Sequence, residues 1–328
     1  MTRRITTLSL FVCLLVAANA FAALEGAWTA RPIEDKTDEV QFSMSWRSHH
    51  MTSTSMRITA FSGLTQAQMR VTTSTPVSFQ LRRDAGTATF DGSFRNGLGA
   101  GQFAFAPNPN YLQSMRDLGV SLEERRTGKR EREEAETLLS YAIHDVSLAY
   151  VRSMQAAGYR VSLDDYLTMR IFDITPEYIR EMRELGFRDM DSDELVGSRI
   201  HRVTPAYVRE MRAAGWNLSL EELQNTRIHG ATPQFAAEMK KLGYGDLDIE
   251  ELVAFRIHRV TPEFVRELRE LGYTNVDADD LVSMRIHRVT PEFIRQVRDA
   301  GYRNVPVEKL VSMRIAGIDA AYLKKMKN

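Results

Sequence analysis

The chain has 328 residues, with 43 Lys plus Arg set against 43 Asp plus Glu and hydrophobic residues at 43 %. Its length accommodates two domains, and the balanced charge argues against nucleic acid as the main partner. One cysteine cannot form an intramolecular disulfide, so stability has to come from packing.

Residues 1–22 carry Arg3 and Arg4, the apolar run LSLFVCLLVAA, and two small-residue cleavage options, Ala18-Asn19-Ala20 and Ala20-Phe21-Ala22. This is the grammar of a secretory signal peptide, and it predicts export to the periplasm or beyond. The apolar run is well short of the roughly 20 residues that span a bilayer, so no integral membrane segment is expected after cleavage. Cys13 follows Val12, which is not the small residue that lipidation requires, and removal of the signal leaves no thiol.

Residues 23–106 predict a small antiparallel β-domain, a sandwich or an open barrel. Val40, Phe42, Met44 and Trp46 alternate with polar residues; so do Val77, Phe79 and Leu81, then Phe90 and Phe94, then Phe103 and Phe105. Asp84-Ala85-Gly86, Asp91-Gly92 and the stretch from Asn96 to Gly101 supply turn signals. In residues 107–140, YLQSMRDLG reads as a degenerate repeat helix, and the mixed-charge run from Glu123 to Glu136 as a solvated linker helix.

Residues 141–328 predict an α-helical solenoid of two-helix repeats. Arg170, Arg199, Arg227, Arg256, Arg285 and Arg314 each precede an Ile at spacings of 28 or 29 residues. In the clearest copy, Thr261 is a natural N-cap and Pro262 suits the first helical position. Phe264, Val265, Leu268 and Leu271 then share one helix face. Gly272 predicts a left-handed C-terminal cap, closed by the apolar contact of Tyr273. Asp277 and Asp280 are placed for a capping box that opens the second helix, whose apolar residues are Leu281, Val282, Met284 and Ile286. Helices this short are unstable alone and have to stack on their neighbours.

The repeat RIHRVTPEF(V/I)R with its LGY cap, and the preceding LRRDAGTATFDGSFRNGLGAGQFAF, resemble the extracytoplasmic repeat segments appended to bacterial sensor-transducer metallopeptidases of the β-lactam-resistance type. The resemblance covers nearly all of the chain beyond the signal. It implies a bacterial envelope protein built from the accessory part alone. The zinc-binding H-E-x-x-H pattern of those peptidases is absent, so their activity is not implied.

The chain carries no nucleophile elbow, phosphate loop or dinucleotide fingerprint. His144, His201, His229, His258 and His287 recur once per unit, which makes a ladder and not a metal cluster, because a metal needs ligands converging within about 2 Å. His49 and His50 point to opposite faces if extended. No catalysis, metal or cofactor is expected. The first helices carry a stripe of cations instead: Arg180, Arg209, Arg266 and Arg295 at one position, Arg183, Arg212, Arg269 and Arg298 three residues later. These eight are the candidate partner-binding residues. The arginines that precede Ile complement helix dipoles, with a carboxylate of the adjacent unit as their expected partner. The sequence thus points to a non-enzymatic exported scaffold that binds protein or peptide partners through its repeats. The alternative is an envelope sensor whose β-domain binds a small molecule or a cell-wall glycan.

Overall fold

A computed structural model describes residues 24–46, 50–122, 131–319, 322 and 325; the signal peptide, His49 and the first part of the charged run lie outside them. The chain divides into two compact units, 1–171 and 172–328. The first holds a seven-stranded antiparallel sheet curled into a half-barrel, which takes the open-barrel form and not the sandwich. Its strands are β1 (Leu24–Ile33), β2 (Lys36–Trp46), β3 (His50–Arg57), β4 (Phe61–Ser62), β5 (Thr75–Arg83), β6 (Gly86–Arg95) and β7 (Leu98–Pro107), in the order β3-β2-β1-β7-β6-β5-β4. A four-residue helix, α1 (Gln66–Met69), lies between β4 and β5.

The sheet is organised around β1, which pairs with both β2 and β7 and which alternation alone does not reveal. Trp28 on β1 is buried, with its ring 5.6 Å from Phe42, 5.1 Å from Phe79 and 5.7 Å from Phe94. Its indole N–H donates to the carbonyl of Asp91. Asp91-Gly92 is therefore not a turn. It lies inside β6, and a Cβ at Gly92 would stand 2.8 Å from the Trp28 ring. The turn of this region is Asn96-Gly97, with both residues at positive φ, between the paired ends Arg95 and Leu98.

Four helices follow the sheet among the described residues of the first unit. α2 (Tyr111–Asp117) is the degenerate first helix; like its later counterparts it ends at a left-handed glycine, Gly119. α3 (Glu131–Ile143) emerges from the charged run, yet it is not merely solvated: Leu138, Leu139 and Tyr141 are buried, and the helix packs on the sheet. α4 (Leu148–Ala156) and α5 (Leu163–Ile171) form the diverged first copy, so the boundary between compact units falls later than the start of the repeats.

The second unit is a run of helix pairs: α6 (Pro176–Glu184), α7 (Ser192–Ile200), α8 (Pro205–Ala213), α9 (Leu220–His229), α10 (Pro233–Lys241), α11 (Ile249–Ile257), α12 (Pro262–Glu270), α13 (Ala278–Ile286), α14 (Pro291–Asp299) and α15 (Val307–Ile315). First helices contact first helices and second helices contact second helices, as in α12 with α14 and α13 with α15. The core runs between them through Leu268, Leu281, Met284, Val289 and Ile294.

Local chemistry sets most of the helix ends. Thr175, Thr204, Thr232, Thr261 and Thr290 each accept from an amide of the first turn, followed by Pro. Gly272 has φ 90°, and the amides of Gly272 and Tyr273 bond back to Arg269 and Leu268, closing a Schellman cap. Capping boxes open α7, α9 and α11, where the third residue is Glu194, Glu222 or Glu251. The box expected at Asp277 and Asp280 does not form, since the Asp277 side chain makes no cap bond. Burial raises the pKa of Asp280, and so do the charges of Asp277, Glu308 and Asp279, so two like carboxylates face each other where a box would have to close.

Candidate functional site

The two arginine series resolve into different roles. Arg285 on α13 stacks over the ring of Phe264 on α12, 4.9 Å from its centroid, and its Nε donates to the carbonyl of His258 just past α11. One guanidinium therefore ties three consecutive helices, meeting the negative end of one dipole while covering an aromatic face. Arg199 does the same with Tyr178 and the Phe172 carbonyl, Arg227 with Tyr207 and Arg202, and Arg256 with Phe235 and His229. Arg170, inside the first unit, repeats it with Tyr150 and His144. Among the described residues the expected carboxylate partners occur in the early copies, as Arg170 with Asp145 and Arg199 with Asp173. For Arg227, Arg256 and Arg285 the acceptor is main chain.

This arrangement explains the histidine ladder. His201, His258 and His287 are helix C-caps, and what the neighbouring arginine uses at His144, His229 and His258 is the backbone carbonyl. Any side chain serves, which is why Phe172 and Ala316 share the position. Among the described residues no group of three His, Cys, Asp or Glu is placed to hold a metal ion. His50 is exposed on β3 and stacks on Trp46.

The eight candidate arginines divide in the same way. Arg212 donates to the carbonyl of Leu185, Arg269 to that of Leu242 and Arg298 to that of Leu271, in each case the C-cap of the preceding first helix. These are struts between units and are not available to a partner; Arg183 holds the same position on α6. The other set is exposed: Arg180 on α6, Arg209 in a 3.2 Å ion pair with Glu181 of the preceding unit, Arg266 with Glu263 at 3.0 Å and Arg295 with Glu292 at 3.7 Å. Such pairs at the surface add little to stability and leave the side chains accessible.

Two surface features escape the sequence pattern. The isoleucine after each ladder arginine is not core: Ile200, Ile228, Ile257, Ile286 and Ile315 are 50 to 66 % exposed. Two residues further on, the second helix closes with its own left-handed cap, and in three units the residue there is Arg202, Arg259 or Arg288, at φ 56 to 58°. Other copies place Asp145, Asp173, Gly230 and Gly317 at this position, all at positive φ. Those residues tolerate the left-handed region; arginine does so at a cost of about 1 kcal/mol or more. Each unit of the second half therefore presents an apolar β-branched side chain close to a left-handed residue, which in three units is an exposed arginine.

Comparison with protein-family models, with curated proteins and with solved structures returns no match. No described helix is long and apolar enough to cross a membrane.

Proposed function

We propose that the protein is an exported, non-enzymatic scaffold of the bacterial envelope that binds a protein or peptide partner along its helical repeats. The row of half-exposed isoleucines carries this reading. Large apolar side chains scattered singly on a surface need no explanation, but the same one left exposed at five successive unit positions marks a contact surface. Repeat duplication copies inert residues too, yet an exposed isoleucine costs solubility each time it is copied. The exposed cations Arg202, Arg259 and Arg288 near that row, and Arg180, Arg209, Arg266 and Arg295 on the first helices, favour a partner that offers apolar residues and carboxylates together.

The test is partner capture from an envelope extract by three proteins: the wild type, a variant with Arg180, Arg209, Arg266 and Arg295 changed to Ala, and one with Ile200, Ile257 and Ile286 changed to Ser. All three are expected to stay folded by circular dichroism. Loss of the same identified partner in the isoleucine variant supports the reading; partial loss in the arginine variant that grows with salt adds the first-helix stripe to the surface. Identical capture by all three rejects the repeats as the binding region. The export part is checked by the intact mass of the secreted chain, expected to begin at Phe21 or Ala23.

A further inference from the structure

The first rung of the arginine ladder differs from every later one, because here the sheet adds two more guanidiniums. A cavity of about 380 Å³ opens at this point, lined by Arg57 at the end of β3, Arg83 at the end of β5, Arg170 on α5, and by Thr59, His144 and Asp145. In the next copy Arg199 holds Asp173 at 2.8 Å, one cation to one carboxylate. In the cavity Asp145 is divided: one oxygen lies 3.3 Å from Nε of Arg83, the other 3.6 Å from Nη2 of Arg170. The lining thus holds three cationic side chains against one anionic one.

The surplus is only partly offset nearby. Glu39 faces Arg57 across the β2–β3 ladder, but its carboxylate already accepts Lys36 at 2.8 Å and the Ser55 hydroxyl at 2.5 Å. Nε of Arg83 is buried and makes no well-aligned hydrogen bond, although its side chain is charged and only 22 % exposed. A buried guanidinium donor whose one nearby carboxylate is poorly aligned still favours a further, better-placed acceptor. His144 is held below its ordinary pKa by burial and by Arg170, so at neutral pH its imidazole is neutral and can accept or donate without adding charge. Guanidinium forks that converge on a concave, hydroxyl-bearing wall match the planar or tetrahedral oxygens of an oxyanion.

We propose that this cavity binds a small hydroxylated oxyanion, a sugar acid or sugar phosphate in chemical class, gripped by Arg57, Arg83 and Arg170, with Asp145 as a built-in competitor for the same guanidiniums. The site lies wholly in the first unit, so it stands or falls apart from the partner-binding reading of the repeats.

Titration calorimetry of the full chain at low ionic strength, with inorganic phosphate, glucose 6-phosphate, glucuronate and uncharged glucose as probes, tests it. At least one anion is expected to bind with a Kd below about 1 mM while glucose gives no heat; which hexose derivative wins separates phosphate from carboxylate recognition. Arg57→Gln and Arg83→Gln should each weaken binding about tenfold, the loss of one charged hydrogen-bonding group. Asp145→Asn should strengthen it severalfold, because it removes the competitor and Asn tolerates the left-handed backbone there. Thermal melts confirm that each variant folds; if Arg83→Gln does not, Arg57→Gln on the edge strand decides. No heat from any anion overturns the proposal. So does binding that Arg57→Gln leaves unchanged, or an Asp145→Asn variant that binds less well.

Discussion

In the sheet, one side chain holds much of the structure: the Trp28 ring meets Phe42, Phe79, Phe90 and Phe94, which come from three other strands. In the array no residue has that reach. Stability there is spread over rungs, each built from a Thr-Pro start, a glycine stop, a buried aliphatic pair such as Leu281 and Met284, and arginines that bond backward to main chain. A core that depends on one cluster fails at one position, whereas a core made of like rungs loses only the rung that is changed.

Substitution can break that contrast or sharpen it. Trp28→Ala should cost about 3–5 kcal/mol and unfold the sheet unit. The fluorescence of Trp216 in the second unit should still report a cooperative transition, and loss of both signals together would refute the separation. Gly272→Val comes next, at about 1–3 kcal/mol in a denaturant melt. A Cβ placed at Gly272 meets only Arg298, at 3.8 Å, so the cost measured is mainly that of the backbone. Arg285→Gln should cost about 2 kcal/mol through the lost aromatic stacking and the charged cap bond. Arg295→Gln, on the exposed series, should stay within about 0.5 kcal/mol; equal effects would erase the distinction between ladder and stripe.

Smaller and opposite in sign, Arg259→Gly should raise stability by about 0.5–1 kcal/mol, as relief of the left-handed strain exceeds the added chain entropy of glycine. The smallest effect concerns pH. The folded pKa of His144 lies below its ordinary 6.5, so the unfolded chain takes up the proton first. The stability it contributes is complete above about pH 6.5 and is lost as pH falls through the lower folded value. His144→Phe, which copies the residue found at Phe172, should flatten the melting temperature of the sheet unit across that acid window while leaving the neutral value nearly unchanged.

Residue type announced the helix starts and the glycine stops because Thr, Pro and Gly each do something at a helix end that other residues do badly. Strands with regular apolar alternation were legible for the same kind of reason. β1 was not: Leu24, Trp28 and Ala30 do not alternate as a run of large side chains, and Pro32 sits where the register with β2 shifts. β3 buries Met56 among serines and threonines, so its edge position leaves almost no apolar signal. The left-handed arginines carry no signature in themselves, but aligning the units would have exposed them, since Asp145, Asp173, Gly230 and Gly317 mark the same place. In the candidate surface, sequence could count cations but not see which of them a carbonyl 27 residues earlier had already claimed.

The direction of those claims has a consequence for how the chain comes into being. In the second unit ladder arginines such as Arg285 and struts such as Arg298 reach toward the amino terminus, so carbonyls left over at the end of one helix meet their side-chain donors only when the next pair is in place. As the chain is synthesised, a given pair stays one step short of its final bonding until about 27 more residues have emerged, the separation between Arg285 and His258. Folding of the repeats is thereby timed by elongation, each newcomer locking the structure behind it.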